Sequence, residues 1–246
     1  MDLKAESYST AYDSFRRAVA LDAGNPEALR GSSDAAAGTN QQADHRQWLE
    51  GLAKGAPANA AVRVELSRVR AASGDIDGAV AAASEAQRLA PDDPRPTEQL
   101  ASVFADVGDV QRLAPLADLL VARYPNREEG HYYAATALML RDRPAEAAGV
   151  ARRLVAANPG FAKAQNLLGA ACASTNQREC AESAFTASIR LNPREPSSYI
   201  NLGLFYLQTA RPENAAESFG EALALDPSAD AARDGLRQAR AAQATR

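Results

Sequence analysis

The sequence predicts an all-α fold, an array of antiparallel helix-turn-helix units that repeat every 34 residues. Three observations carry that prediction. Prolines stand at Pro57, Pro91, Pro125, Pro159, Pro193 and Pro227, each 34 residues after the last, and five of them close the similar phrases RLAP, ARYP, AANP, RLNP and ALDP. Alanine supplies 57 of the 246 residues while aromatics make up only 6%, a balance that favours helix and close backbone approach over a bulky core. Within each period apolar residues recur at spacings of three and four, the pattern of one buried helical face. A disordered chain is excluded by a hydrophobic content of 46%, and the alanine excess argues against a β-sandwich or barrel.

Taken in order, residues 3–22 read as the second helix of a truncated repeat. Ala11, Phe15, Ala18 and Leu21 occupy the register of Ala215, Phe219, Ala222 and Leu225. On this reading the chain opens halfway through a hairpin. Either it is a piece excised from a longer protein, or the lone helix is a natural cap or swaps against a partner. Residues 26–57 form a degenerate repeat, in which Ser32 and Ser33 replace a large–small pair and His45 stands where other units mostly carry alanine. His45 reads as a structural variant, with the lining of a binding surface as the alternative; Leu49 and Leu52 stay in phase, with Trp48 beside them.

Repeats follow at 60–91, 94–125, 128–159, 162–193 and 196–227. The last is the clearest. Tyr199, Leu202, Gly203 and Tyr206 share one face of its first helix, and Ala215, Phe219 and Ala222 share one face of its second. Pro212, matched by Pro144, suits the first turn of a helix, where a missing N–H costs nothing. Ala215 opposite Gly203 is expected to let the paired helices approach closely. Between the helices stand Gly74, Gly108, Asp142 and Asn176, types that tolerate a left-handed backbone. Ala210 breaks that series, so another turn geometry is expected there. Residues 229–243 read as a C-terminal capping helix, charged where a further partner would be buried.

The bulk numbers exclude several functions. A formal charge of -4 argues against broad attraction to nucleic acid. No apolar run approaches the roughly 20 residues that span a bilayer, and the N-terminal stretch lacks the basic start and apolar core of a signal peptide. Cys172 and Cys180 are too few for a disulfide framework and, with two histidines, for a metal cluster. They read as two small, partly buried thiols, with a reversible disulfide between them as the alternative. Phosphate loops, nucleophile elbows and zinc signatures are missing, and GDIDG at 74–78 lacks the spaced oxygen ligands of a calcium loop. Neither catalysis nor a cofactor or metal is expected.

The repeated positions resemble the tetratricopeptide repeat family, whose signature is an aromatic, Leu-Gly and Tyr in the first helix, then Ala, an aromatic, Ala and Pro in the second. Tyr199, Leu202, Gly203, Tyr206, Ala215, Phe219, Ala222 and Pro227 carry that signature completely. The unbroken period of 34 is unlike the usual 35 of pentatricopeptide repeats. The resemblance implies a right-handed superhelical solenoid whose concave face is lined by the first helices and receives a peptide or another protein. It implies groove positions at Tyr132, Tyr133, Thr136, Met139, Lys163, Asn166, Ile200, Asn201 and Leu204, and a second, charged groove at Arg30, Glu65, Arg68, Arg95 and Glu98. The carboxylate clamp of co-chaperone members is absent, since none of the candidate pairs, such as Arg30 with Asp34, is Lys with Asn. An asparagine ladder is represented by Asn201 alone. The expected role is a protein-interaction scaffold for an unidentified protein or peptide, and the alternative is a self-assembly segment acting through the unpaired N-terminal helix. The alanine excess fits a GC-rich bacterial genome. The compartment, cytoplasmic or periplasmic, depends on the full-length protein.

Overall fold

The computed structural model describes residues 3–244, all of whose regular structure is helical. The helices fall into two units, Met1–Pro125 and Asn126–Arg246. The first holds α1 (Leu3–Leu21), α2 (Pro26–Gly38), α3 (Gln42–Gly55), α4 (Ala60–Ala72), α5 (Ile76–Leu89), α6 (Pro94–Asp106) and α7 (Val110–Arg123). The second holds α8 (Glu128–Leu140), α9 (Pro144–Ala157), α10 (Ala162–Ser174), α11 (Arg178–Leu191), α12 (Pro196–Gln208), α13 (Pro212–Leu225) and α14 (Asp230–Ala244). The period has a simple physical content. From α2 to α13 a 13-residue helix, three linking residues, a 14-residue helix and four more linking residues make one repeat. Within each unit consecutive helices pack together, and the first helices also pack side by side, α2 on α4 on α6 and α8 on α10 on α12.

Local chemistry explains where the helices start. Asn25 and Asn59 accept backbone N–H groups from Ala28 and Val62, Asp75 and Asp109 do the same for Gly78 and Arg112, and Pro26, Pro94, Pro144, Pro196 and Pro212 open their helices. The three-residue links close alike. Asn40, Gly74, Gly108, Asp142, Asn176 and Ala210 all adopt positive φ, between 56° and 80°. Ala210 therefore uses the common turn after all. Its N–H donates to Leu207 O at 3.1 Å and the next N–H, of Arg211, donates to Tyr206 O at 2.8 Å. The equivalent bonds at Asn176 and Gln177 measure 3.0 and 2.8 Å, so the closure is strong enough to impose the left-handed geometry on an alanine.

The core matches small residues to aromatic rings. In unit 2, Ala147, Ala151, Ala181, Ala215 and Ala222 are fully buried around Phe185 and Phe219. The close approach at Gly203 is to the Phe219 ring rather than to Ala215. A methyl group on Gly203 would stand 2.8 Å from that ring, and one on Gly235 of α14 would stand 2.3 Å from it. Phe219 is thus held between two glycines, and α14 closes the last hairpin with Ala232, Gly235 and Ala239 while Arg233, Asp234, Arg237 and Arg240 face solvent. Glu182 ties the hairpins together at the edge: Arg211 donates to both carboxylate oxygens at 2.8 and 3.0 Å, and Tyr206 donates to one of them at 3.0 Å. The reading of Cys172 and Cys180 as free thiols is corrected. They form a disulfide across the α10–α11 hairpin, because the turn at Asn176 brings their Cα atoms to 5.9 Å.

Candidate functional site

In unit 2 the expected groove residues fall on α8, α10 and α12, whose parallel packing sets them side by side. Tyr132 is half-buried. Its ring lies 5.2 Å from that of Tyr133 and 5.8 Å from that of Phe161, and Lys163 Nζ sits 6.0 Å from its centroid. A cation over an aromatic face is a modest attraction at an exposed site, about 0.5–1 kcal/mol. Asn201 Nδ2 donates to Asn166 Oδ1 at 3.2 Å, pairing α12 with α10 and leaving Asn201 Oδ1 as an acceptor and Asn166 Nδ2 as a donor. Leu204 keeps 42% of its surface exposed, one turn beyond Ile200 on the same helix.

Other members of the set are differently occupied. Tyr133 is turned inward, with 5% of its surface exposed, because adjacent positions lie about 100° apart around a helix. Thr136 spends its hydroxyl on Tyr132 O at 3.0 Å. Met139 and Ile200 are partly buried against the core, which leaves each only an edge at the surface.

Four charged residues of unit 1, Arg30, Asp34, Arg68 and Glu65, form a chain of ion pairs. Arg68 donates to Glu65 Oε1 at 2.6 Å and lies 3.2 Å from Asp34, which is 3.9 Å from Arg30. Burial works against the charge of Arg68, but the Glu65 and Asp34 carboxylates outweigh it and hold the guanidinium above its ordinary value. Glu65 itself is buried. Arg95 bends back to Asp93, the capping residue of its own helix, at 2.6 Å, and Glu98 is half-buried on α6.

Beside that chain lies an arrangement that sequence reasoning missed. Ser33 Oγ is 2.8 Å from His45 Nε2, and Tyr12 Oη is 3.3 Å from His45 Nδ1, so α1, α2 and α3 meet in one buried polar network. His45 is 1% exposed, and burial lowers it to about 4, with Arg68 and Arg16 reinforcing the effect and Glu65 opposing it. The ring is neutral at pH 7 and is a core residue. A cleft of about 390 Å³ opens next to it, bordered by Ser33, Asp34, Arg46, Arg68 and Ser73. The available signal was the clustering of departures, Ser33 and His45, in one degenerate repeat. Phe161 was missed as well, since it precedes α10 rather than lying on it.

Among the described residues no group of three or more His, Cys, Asp or Glu side chains could hold a metal ion, and no helix is long and apolar enough to cross a membrane. Hairpins of constant length, packed in register within each unit and offering side chains from their first helices, define a helical repeat fold. The comparisons agree. The tetratricopeptide repeat model matches residues 196–228, the last full hairpin, α12 and α13. Among solved structures it is similar to TTC0263, a thermophilic tetratricopeptide repeat protein of Thermus thermophilus, with 22% identity and a TM-score of 0.65 over 72% of this chain and 96% of that one. It is also similar to a chain of the APC/C hetero-tetramer Cut9–Hcn1, with 16% identity and a TM-score of 0.70 over 96% of this chain. There it spans 46% of the other chain's length. At these identities the likeness is one of fold. The comparison with curated proteins gives no match.

Proposed function

We propose that the protein is an interaction scaffold and that the face formed by α8, α10 and α12 receives an extended segment of another protein. The Asn166–Asn201 pair carries this reading. Two amides on adjacent helices, each with an unspent hydrogen-bonding atom, can meet the N–H and C=O groups of a peptide main chain whatever its side chains. Around them the chemistry is mixed: Lys163 with Tyr132 offers a cation and a ring face, and Leu204 offers apolar surface. A fitting segment therefore has an acidic and an aliphatic residue flanking a bare stretch of backbone. The paired charges around Arg68 would influence encounter more than affinity.

A displayed library of random peptides tests the reading. Peptides selected on the whole chain are then measured against Leu204→Asp, Asn201→Ala and Tyr132→Ala, each checked for folding by circular dichroism. We expect losses of about 1–3 kcal/mol in binding free energy, that is roughly 5- to 150-fold in affinity, for at least two of the three. Unchanged affinity in all three removes this face as the binding site.

A further inference from the structure

The two sulfurs of the Cys172–Cys180 disulfide stand in different surroundings. Cys172 on α10 has no exposed surface and belongs to the core of unit 2, whereas Cys180, in the first turn of α11, is partly exposed. From α9, Arg152 Nη2 donates to Cys172 Sγ at 3.7 Å, and the same nitrogen donates to Gln177 Oε1. Gln177 is anchored in turn, with its backbone N–H on Cys172 O at 2.8 Å and its Nε2 on Thr175 Oγ1 at 2.8 Å. A cation is held against the fully buried cysteine, while Cys180 packs at the edge of the same core and keeps part of its surface exposed.

We propose that Cys180 is a thiol-exchange and S-thiolation site, with Arg152 the positioning residue that directs which sulfur leaves. A low-molecular-weight thiolate attacks Cys180 Sγ and forms a new sulfur–sulfur bond to it. The Cys172–Cys180 bond breaks, and its electron pair departs on Cys172 Sγ as a thiolate. One disulfide is consumed and one is formed, so no oxidant is needed. The regiochemistry follows from two facts. Attack at Cys172 is closed by burial, and the leaving group departs faster the better its anion is stabilised, which a guanidinium hydrogen bond achieves. A second thiolate attacks the added sulfur, leaves with it as a symmetrical disulfide, and frees Cys180 as a thiolate. The Cys172 thiolate can instead expel the added thiol and restore the original bond. Opening the bond removes the covalent tie between α11 and α10, the helix that carries Lys163 and Asn166, and leaves their shared core packing to hold them.

The test starts from the oxidised whole chain incubated with glutathione, quenched in acid and read by peptide mass spectrometry. We expect the adduct on Cys180 and none on Cys172. Adduct formation should slow by about threefold or more in Arg152→Ala and recover in Arg152→Lys, which keeps the charge. In Cys180→Ser, the ultraviolet absorbance of the Cys172 thiolate should appear about one pH unit higher once Arg152→Ala is added. Circular dichroism confirms that each variant is folded, and Arg152→Gln replaces Arg152→Ala if the latter is not. An adduct on Cys172, equal rates and titrations with and without Arg152, or two free thiols after purification in air overturns the proposal.

Discussion

Ala210 shows what a single residue can conceal. At φ 57° its Cβ crowds the backbone, a penalty of roughly 1–2 kcal/mol for an L-residue in the left-handed region, and the neighbouring hydrogen bonds hold it there. The pattern of Gly74, Gly108, Asp142 and Asn176 was legible because those types advertise the conformation; alanine does not. Ala210→Gly should therefore raise stability by about 0.5–1 kcal/mol, after the larger unfolded-state entropy of glycine is subtracted. Equilibrium urea unfolding measures it, and a lower midpoint would show that the turn is relaxed as alanine. Tyr132 and Tyr133 make the same point at the candidate site. Sequence register places both near the face, but one is offered and the other is turned in, and only the packing of α8 on its neighbours decides between them.

Helices were more legible than side chains. Their bounds follow from prolines, caps and left-handed links that recur at constant spacing, all of which are local signals. What could not be read is which residue of one helix meets which of the next. The fit of Phe219 between Gly203 and Gly235 involves α12, α13 and α14, and the Tyr12–His45–Ser33 network involves α1, α2 and α3. Gly235→Ala tests the tightness of the first. Its new methyl would stand 2.3 Å from the ring, so Phe219 must move, and overpacking of this kind costs about 1–3 kcal/mol despite the better helix propensity of alanine. Chemical denaturation followed by hydrogen exchange in α13 and α14 should show that loss. A neutral or stabilised variant would mean that α14 yields easily and is not a rigid cap.

At the scale of the whole molecule the two units answer differently to acid. His45 titrates near its ordinary value of 6.5 when unfolded and about 4 when folded. Above pH 6.5 both states are neutral and its contribution is complete. As pH falls from 6.5 towards 4 the unfolded chain takes up a proton that the folded chain refuses, so unit 1 loses up to about 3 kcal/mol. In unit 2 the Arg211 hydrogen bond holds Glu182 below its ordinary 4.5, so stability from that carboxylate is retained down to about that pH and lost only below it. Hydrogen exchange between pH 7 and 4.5 should show α2 and α3 losing protection before α11 to α13, and His45→Ala, the residue usual at that repeat position, should flatten the dependence. Simultaneous loss in both units would contradict this.

The disulfide completes a division of labour that helps whoever seeks the partner. One half of the chain carries a handle for protons and the other a handle for electrons. Mild acid and a mild reductant are thus separate dials on the same unmutated protein. An affinity that survives the first and fades with the second has been mapped to residues 126–246 by changing the buffer alone.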